Sequence, residues 1–205
     1  LRIEPAEASS PEELFSIIDA CVYTDAGAQA VIAYLDAAEI LGKFVYKERA
    51  LQALEFLWDQ CRNPEGGMFH YFEGVPRVSG LLNDQARMGT ALGQAHKATN
   101  EIKYLERAKQ LAEFILERLK NPAGGYYDIA DSGPAYLSFR LTLIEQNGAA
   151  ASFLLALAET TREPRYRDAA LWALSAFPAD FSSYGIHAAG FGQALNEFVN
   201  GNTIS

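Results

Sequence analysis

An eleven-residue segment occurs twice in this chain, as YKERALQALEF at 46–56 and as YLERAKQLAEF at 104–114, 58 residues apart. Both copies run into the same punctuation, Asn63-Pro64-Glu65-Gly66-Gly67 and Asn121-Pro122-Ala123-Gly124-Gly125. From each tyrosine to the second glycine, 11 of 22 positions are identical. A weaker third copy starts at Tyr166-Arg167-Asp168-Ala169-Ala170 and lacks the glycine pair. Self-similarity at a fixed period marks one supersecondary unit stacked several times, because a single unit cannot bury its own apolar face.

Two kinds of helix alternate within that period. Residues 25–40, 84–98 and 145–160 are rich in Ala, Gly, Leu and Gln. Asp36 is the only charged residue within 26–38, Arg87 the only one within 85–95, and there is none within 146–158. A helix apolar nearly all round is predicted to be enclosed by other helices. Residues 44–62, 102–120 and 164–176 instead carry a charged face and an apolar stripe, seen as Tyr104, Ala108, Leu111, Ile115 and Leu119 at spacings of three and four. These are predicted to form an outer layer. A further inner helix is expected over 185–199. Pro64 and Pro122 stop the outer helices, and the glycine pairs behind them permit positive φ. The aromatic segments after the glycines, Met68–Phe72 and Tyr126–Ile129, read as short β excursions.

Stacked hairpins with a small-residue inner layer and an amphipathic outer layer build an all-α (α/α) toroid, or part of one, or a solenoid. The long connectors, 63–82 and 121–143, then emerge together at the N-termini of the inner helices. Ligands are expected on that rim, since loops on a rigid scaffold carry function and helix N-termini favour anions and hydrogen-bond acceptors. The chain divides into a lead-in with a short helix (1–21), the hairpin-repeat domain (22–200) and a tail (201–205).

A net charge of −9, with no basic run, argues against non-specific nucleic-acid binding, which needs clustered Lys and Arg. Cys21 and Cys61 have neither zinc spacing nor a disulfide framework around them. No apolar run approaches the ~20 residues that span a bilayer, and Leu1-Arg2-Ile3-Glu4 lacks the form of a signal peptide. The expectation is a cytoplasmic chain without membrane partners, cut from something longer.

The segments DAGAQAVIAYLDAAE at 25–39, NPEGGMFHY at 63–71, GLLND at 80–84 and QNGAAA at 146–151 carry a family resemblance. With the two YxERA copies, they resemble the C-terminal helical region of the thioredoxin-domain-containing proteins related to spermatogenesis-associated proteins. The resemblance covers about residues 22–199. It implies a toroid similar to N-acylglucosamine 2-epimerases and six-hairpin glycosidases, here with three to four of six hairpins and no thioredoxin-like part. Thr24-Asp25 stands where that family has Trp-Asn, and Asn83-Asp84-Gln85 where it has Asp-Asp-Tyr. The implied role is binding or transforming a sugar.

By the repeat, Asp25, Asn83-Asp84 and Glu145 to Asn147 occupy equivalent starts of inner helices. Two carboxylates across a toroid mouth would serve as general acid and base on a glycosidic bond. Asp84, Asp25 and His70 are therefore the candidate catalytic residues. Arg87, Asn147, Tyr71, Tyr126 and Tyr127 are the candidate substrate contacts, the tyrosines by stacking on a sugar ring. His70 also fits proton abstraction beside a carbonyl by its ordinary pKa. Against these roles, Asp and Asn at helix starts also serve as N-caps, and Arg87 also fits a buried pair with Asp84. His187 is a further candidate, and His96 reads as structural. There is no Gly-x-Ser-x-Gly, His-Glu-x-x-His or glycine-rich phosphate loop, and neither cofactor nor metal is expected. The alternative from another class is a non-catalytic helical-repeat scaffold. Its poorly covered inner helices would drive homo-oligomerisation or pairing with a missing N-terminal half.

Overall fold

The computed structural model describes residues 21–130, 139–177 and 181–201, so the lead-in and most of the tail lie outside the described residues. The repeat becomes three helical hairpins: α1 (Thr24–Leu41) with α2 (Phe44–Cys61), α3 (Leu82–Thr99) with α4 (Ile102–Arg118), and α5 (Ile144–Thr161) with α6 (Pro164–Leu174). A 3₁₀ segment (Phe181–Ala188), kinked at Gly185, leads into a last helix, α7 (Ala189–Asn200). Helices α1, α3, α5 and α7 pack side by side as the inner layer, and α2, α4 and α6 each cover their own partner. The architecture is the expected part of an (α/α) toroid. The last helix starts later than expected, because 3₁₀ turns occupy its first residues.

Composition explains the layering. The inner helices present small residues to their neighbours on both sides, such as Ala86, Gly89, Ala91 and Ala95 on α3, all buried. On α4 the stripe Tyr104, Ala108, Leu111 and Ile115 is buried while the charged face is left outside. Successive outer helices are tied by ion pairs: Arg107 on α4 to Glu55 on α2 at 2.8 Å, and Lys109 on α4 to Glu163 at the start of α6 at 3.3 Å.

The glycine-pair loops repeat in structure as they do in sequence. Asn63 N–H donates to Gly67 C=O at 3.0 Å and Asn121 N–H to Gly125 C=O at 2.9 Å. The first aromatic segment becomes strand β2 (Phe69–Phe72), in an antiparallel sheet with β1 (Val22–Tyr23) and β3 (Pro76–Ser79). The register sets Tyr23 opposite Tyr71, and Tyr71 opposite Arg77. The second segment forms only isolated bridges, Lys120 to Tyr126 and Leu81 to Ile129, rather than the expected strand. Among the described residues no helix is long and apolar enough to cross a membrane.

Candidate functional site

The inner helices begin without side-chain caps. Tyr23, Leu81 and Leu143 hold the N-cap positions in extended conformation, and none makes a side-chain capping bond. Asp25, Asn83 and Glu145 are each the second residue of their helix, and Asp84 and Gln146 the third. Neither Asp25 nor Asp84 holds an N-cap position, but both accept free amides in the first turn of α1: Asp25 Oδ1 from Ala26 N–H at 2.7 Å, and the Asp84 carboxylate from Asp25 N–H.

Asp84 is fully buried, and its two carboxylate oxygens lie 3.1 Å from Nδ1 of His70 on β2. The Asp25 main-chain amide also bonds to this carboxylate. Burial is the main influence on the group and raises its pKa from 3.8 to about 7; the Asp25 charge adds to that rise, while the bond to His70 opposes it. No Lys or Arg pairs with Asp84 among the described residues. Asn83 Nδ2 donates to Asp25 Oδ2 at 2.9 Å, which holds Asp25 beside the pair. Thr24 Oγ1 donates to Phe69 C=O at 2.6 Å, tying α1 to β2 one residue from His70. Tyr23 and Tyr71 meet the imidazole edge-on, with centroids 5.4 and 6.1 Å away.

The imidazole is 28% exposed and the carboxylate 0%, so His70 can touch a ligand and Asp84 cannot. Asp84 holds the ring by Nδ1. This differs from the expectation of two carboxylates facing each other across a mouth. One carboxylate is sealed in, and the other stands beside it, within 4.8 Å by ligand atom. Asp25, His70 and Asp84 are also the one group among the described residues whose atoms converge closely enough to hold a cation.

The remaining candidates separate. Asn147 is fully buried: its Oδ1 accepts from Tyr126 N–H at 2.8 Å, and its Nδ2 donates to the carbonyls of Tyr126 and Leu143, each at 3.0 Å. It holds the loop, not a ligand. Tyr126 is core, its hydroxyl donating to Ala169 C=O at 3.1 Å. Tyr127 is covered by the Arg140 guanidinium, 4.0 Å from its ring centre. Arg87 does not form the pair with Asp84; its Nε is buried with no hydrogen-bond partner among the described residues. His96 Nδ1–H donates to the Glu101 carbonyl at 3.0 Å, as a structural residue would.

Beside the His70 cluster lies a cleft of about 490 Å³, lined by Asn83, Thr142, Glu145, Gln146, Tyr184 and His187 among others. His187 Nδ1 lies 3.3 Å from Glu145 Oε2, and both side chains are exposed. Gln146 and Tyr184 were not singled out from the sequence. The signal for Gln146 was available, since it falls on the same helical position as Asp84. A second cleft, of about 440 Å³, opens at the opposite ends of the inner helices around Glu39, Phe44, Lys47 and Lys97.

Comparison with solved structures agrees with this geometry at the level of fold. The cellobiose 2-epimerase of Spirochaeta thermophila DSM 6192 superposes with a TM-score of 0.68 at 19% identity, over 80% of this chain and 44% of that one. A glycoside hydrolase family 76 mannosidase of Bacteroides thetaiotaomicron VPI-5482 gives 0.71 at 15% identity, over 88% and 56%. An α-1,6-mannanase of Salegentibacter sp. HEL1_6, an inactive variant with two neighbouring aspartates changed to asparagine and bound to α-1,6-mannotriose, gives 0.63 at 17%, over 78% and 48%. The chain has the fold of these (α/α) toroid enzymes. It spans about half of their length. No protein-family model and no curated protein sequence matches it.

Proposed function

We propose that the rim binds a sugar and moves a proton on it, with His70 as the acid/base and Asp84 as the residue that positions it. The observation that carries this reading is the partly exposed imidazole of His70 held at Nδ1 by the fully buried Asp84 carboxylate. The likeness to sugar epimerases and mannan-cleaving enzymes supports a carbohydrate ligand. The burial of Asp84 favours epimerisation or isomerisation over hydrolysis, because hydrolysis needs two carboxyl groups that both reach the glycosidic bond. In this reaction the proton on C2 of the open-chain aldose passes to Nε2. Its electron pair forms the C1–C2 double bond as the carbonyl oxygen takes up charge. Return of the proton from Nε2 to the same face gives the original sugar, and return after rotation about C2–C3 has turned the other face to His70 gives the 2-epimer.

The test is incubation with reducing sugars in D₂O, followed by NMR. Deuterium should enter at C2, and His70→Ala should slow this by 10²–10⁴-fold, the usual contribution of a positioned acid/base. Full exchange in the variant, or no sugar binding by the parent chain, would refute the proposal. The second outcome would favour the scaffold reading, for which exposed Ile40, Leu41, Phe44 and Val45 around the α1–α2 turn offer an apolar contact surface.

A further inference from the structure

We infer that Asp25, His70 and Asp84 form a site for zinc or a like divalent transition-metal ion, which takes His70 by Nδ1. The site goes beyond the proposed proton chemistry and stands or falls without it. Its three ligands come from α1, β2 and α3, at positions 25, 70 and 84, so the sequence shows no metal spacing. The pairing of Tyr23 with Tyr71 and the bond from Thr24 to Phe69 set His70 against the starts of both helices.

The donor set and its spacing fit such an ion. One imidazole nitrogen and two carboxylates are ligands that zinc accepts, and three protein ligands leave a coordination position open. Two atoms each ~2.0–2.2 Å from zinc stand ~3–3.5 Å apart, and His70 Nδ1 is 3.1 Å from each Asp84 oxygen. Asp25 offers an oxygen within 4.8 Å of the other two ligands. Partly exposed on the first turn of α1, it is the ligand with room to close on the ion.

The surroundings ask for a cation. A histidine oriented for proton transfer needs one carboxylate, and here a second is brought in. Asn83 Nδ2 holds Asp25 Oδ2 at 2.9 Å beside the pair, where the side chain would otherwise turn to water. Two carboxylates so placed, one of them fully buried, repel each other. A divalent ion between them converts that repulsion into coordination. Both also carry the outer bonds that orient metal ligands: Asp25 Oδ1 accepts from Ala26 N–H at 2.7 Å, its Oδ2 from Asn83, and Asp84 from the Asp25 amide. The partial exposure of His70 and Asp25 gives the ion its path from the rim.

Occupancy has a consequence for His70. A neutral imidazole bound to metal at Nδ1 carries its ring proton on Nε2, so it cannot take a proton from a sugar. The ion and the proposed proton transfer therefore exclude each other, and zinc acts on that reaction as an inhibitor.

The test is isothermal titration of the chelator-treated chain with ZnCl₂. It is run on the parent, Asp25→Asn, His70→Ala, Asn83→Ala, His187→Ala and Cys21→Ser, with circular dichroism confirming the fold of each. One equivalent should bind in the micromolar range or tighter. Asp25→Asn and His70→Ala should each weaken binding by ~100-fold or more, and Asn83→Ala, which touches only a ligand, by ~10–100-fold. His187→Ala and Cys21→Ser should leave it unchanged. No binding, or binding that the first three changes leave intact, would overturn the site. Loss of binding in His187→Ala or Cys21→Ser would do the same, by placing the ion elsewhere. One equivalent of zinc should also stop deuterium exchange at C2. Exchange that continues in the zinc-loaded chain would show that Nδ1 is not a ligand, and would overturn this inference while the proposed function stands. Absence of exchange without zinc would overturn the proposed function alone, and the titration would still decide the site.

Discussion

A carboxyl group sealed from water at the first turn of α3 makes stability depend on pH in a definite direction. Asp84 holds its proton more tightly in the folded chain, at about 7, than at its ordinary 3.8. Between those values the folded state binds more protons than the unfolded state, so stability falls as pH rises from about 4 to about 7 and then levels. Asp84→Asn keeps the shape and does not titrate. Relative to the parent chain, its stability should therefore rise by about 2–3 kcal/mol from pH 5 to pH 8, as read from urea unfolding at each pH. A difference that does not move with pH would mean that Asp84 is solvated in solution. The sequence made Asp25, Asp84 and His70 legible as candidates, because the repeat aligned the helix starts and His70 stood in an aromatic segment beside the glycine pair. It did not make their facing legible. Each helical step turns a side chain by ~100°, so neighbouring polar residues at one helix start have separate tasks. Asn83 faces the rim, Asp84 the interior beside His70, and Gln85 the loop.

At the scale of elements, those third tasks explain why the loops sit where they do. Gln85 on α3 and Asn147 on α5 are both the fourth residue of an inner helix, both fully buried, and both grip an aromatic segment by its main chain. Gln85 accepts from Met68 N–H at 2.8 Å and donates to Met68 C=O at 3.3 Å, as Asn147 does with Tyr126. The fit around Asn147 is close: a Cβ on Gly125 (φ 69°) would stand 2.8 Å from its Oδ1. Asn147→Ala would leave the Tyr126 N–H and C=O buried and unpaired, and should cost about 2–4 kcal/mol in thermal or denaturant unfolding. A loss below ~1 kcal/mol would show that water replaces the amide. The helices themselves were legible to within a few residues, because composition alone separates inner from outer. Strands β1 and β3 were not, since two to four residues of edge pairing leave no periodicity to read. Sequence placed Asn147 on the rim because the repeat aligned it with Asp84, and Tyr126 because it follows the glycine pair of a rim loop; their hydrogen bonds show both to be part of the frame.

At the scale of the whole molecule, a stacked array distributes stability by neighbour. Besides its outer partner, each inner helix packs chiefly against its inner neighbours in the array, so a helix between two others is held on both sides and one at the end of the described array on one side. Burial follows that order: nine residues are buried on α3 and eight on α5, against four on α1 and two on the shorter α7. Amide hydrogen exchange should therefore be slowest in the middle turns of α3 and α5 and faster in α1 and α7, since local opening follows buried contact. The candidate site is built on the well-held pair: Asp84 and Asn83 begin α3, and Glu145 and Gln146 begin α5. Asp25 comes from α1, and His70, Tyr184 and His187 come from the sheet and the 3₁₀ segment. A ligand bridging His70 and the cleft should then slow exchange chiefly in β2 and over residues 181–188, with little change in the centre of α3. Protection gained uniformly along the chain would instead mean that the ligand shifts global unfolding, and that the mobile and rigid halves of the site are not distinct.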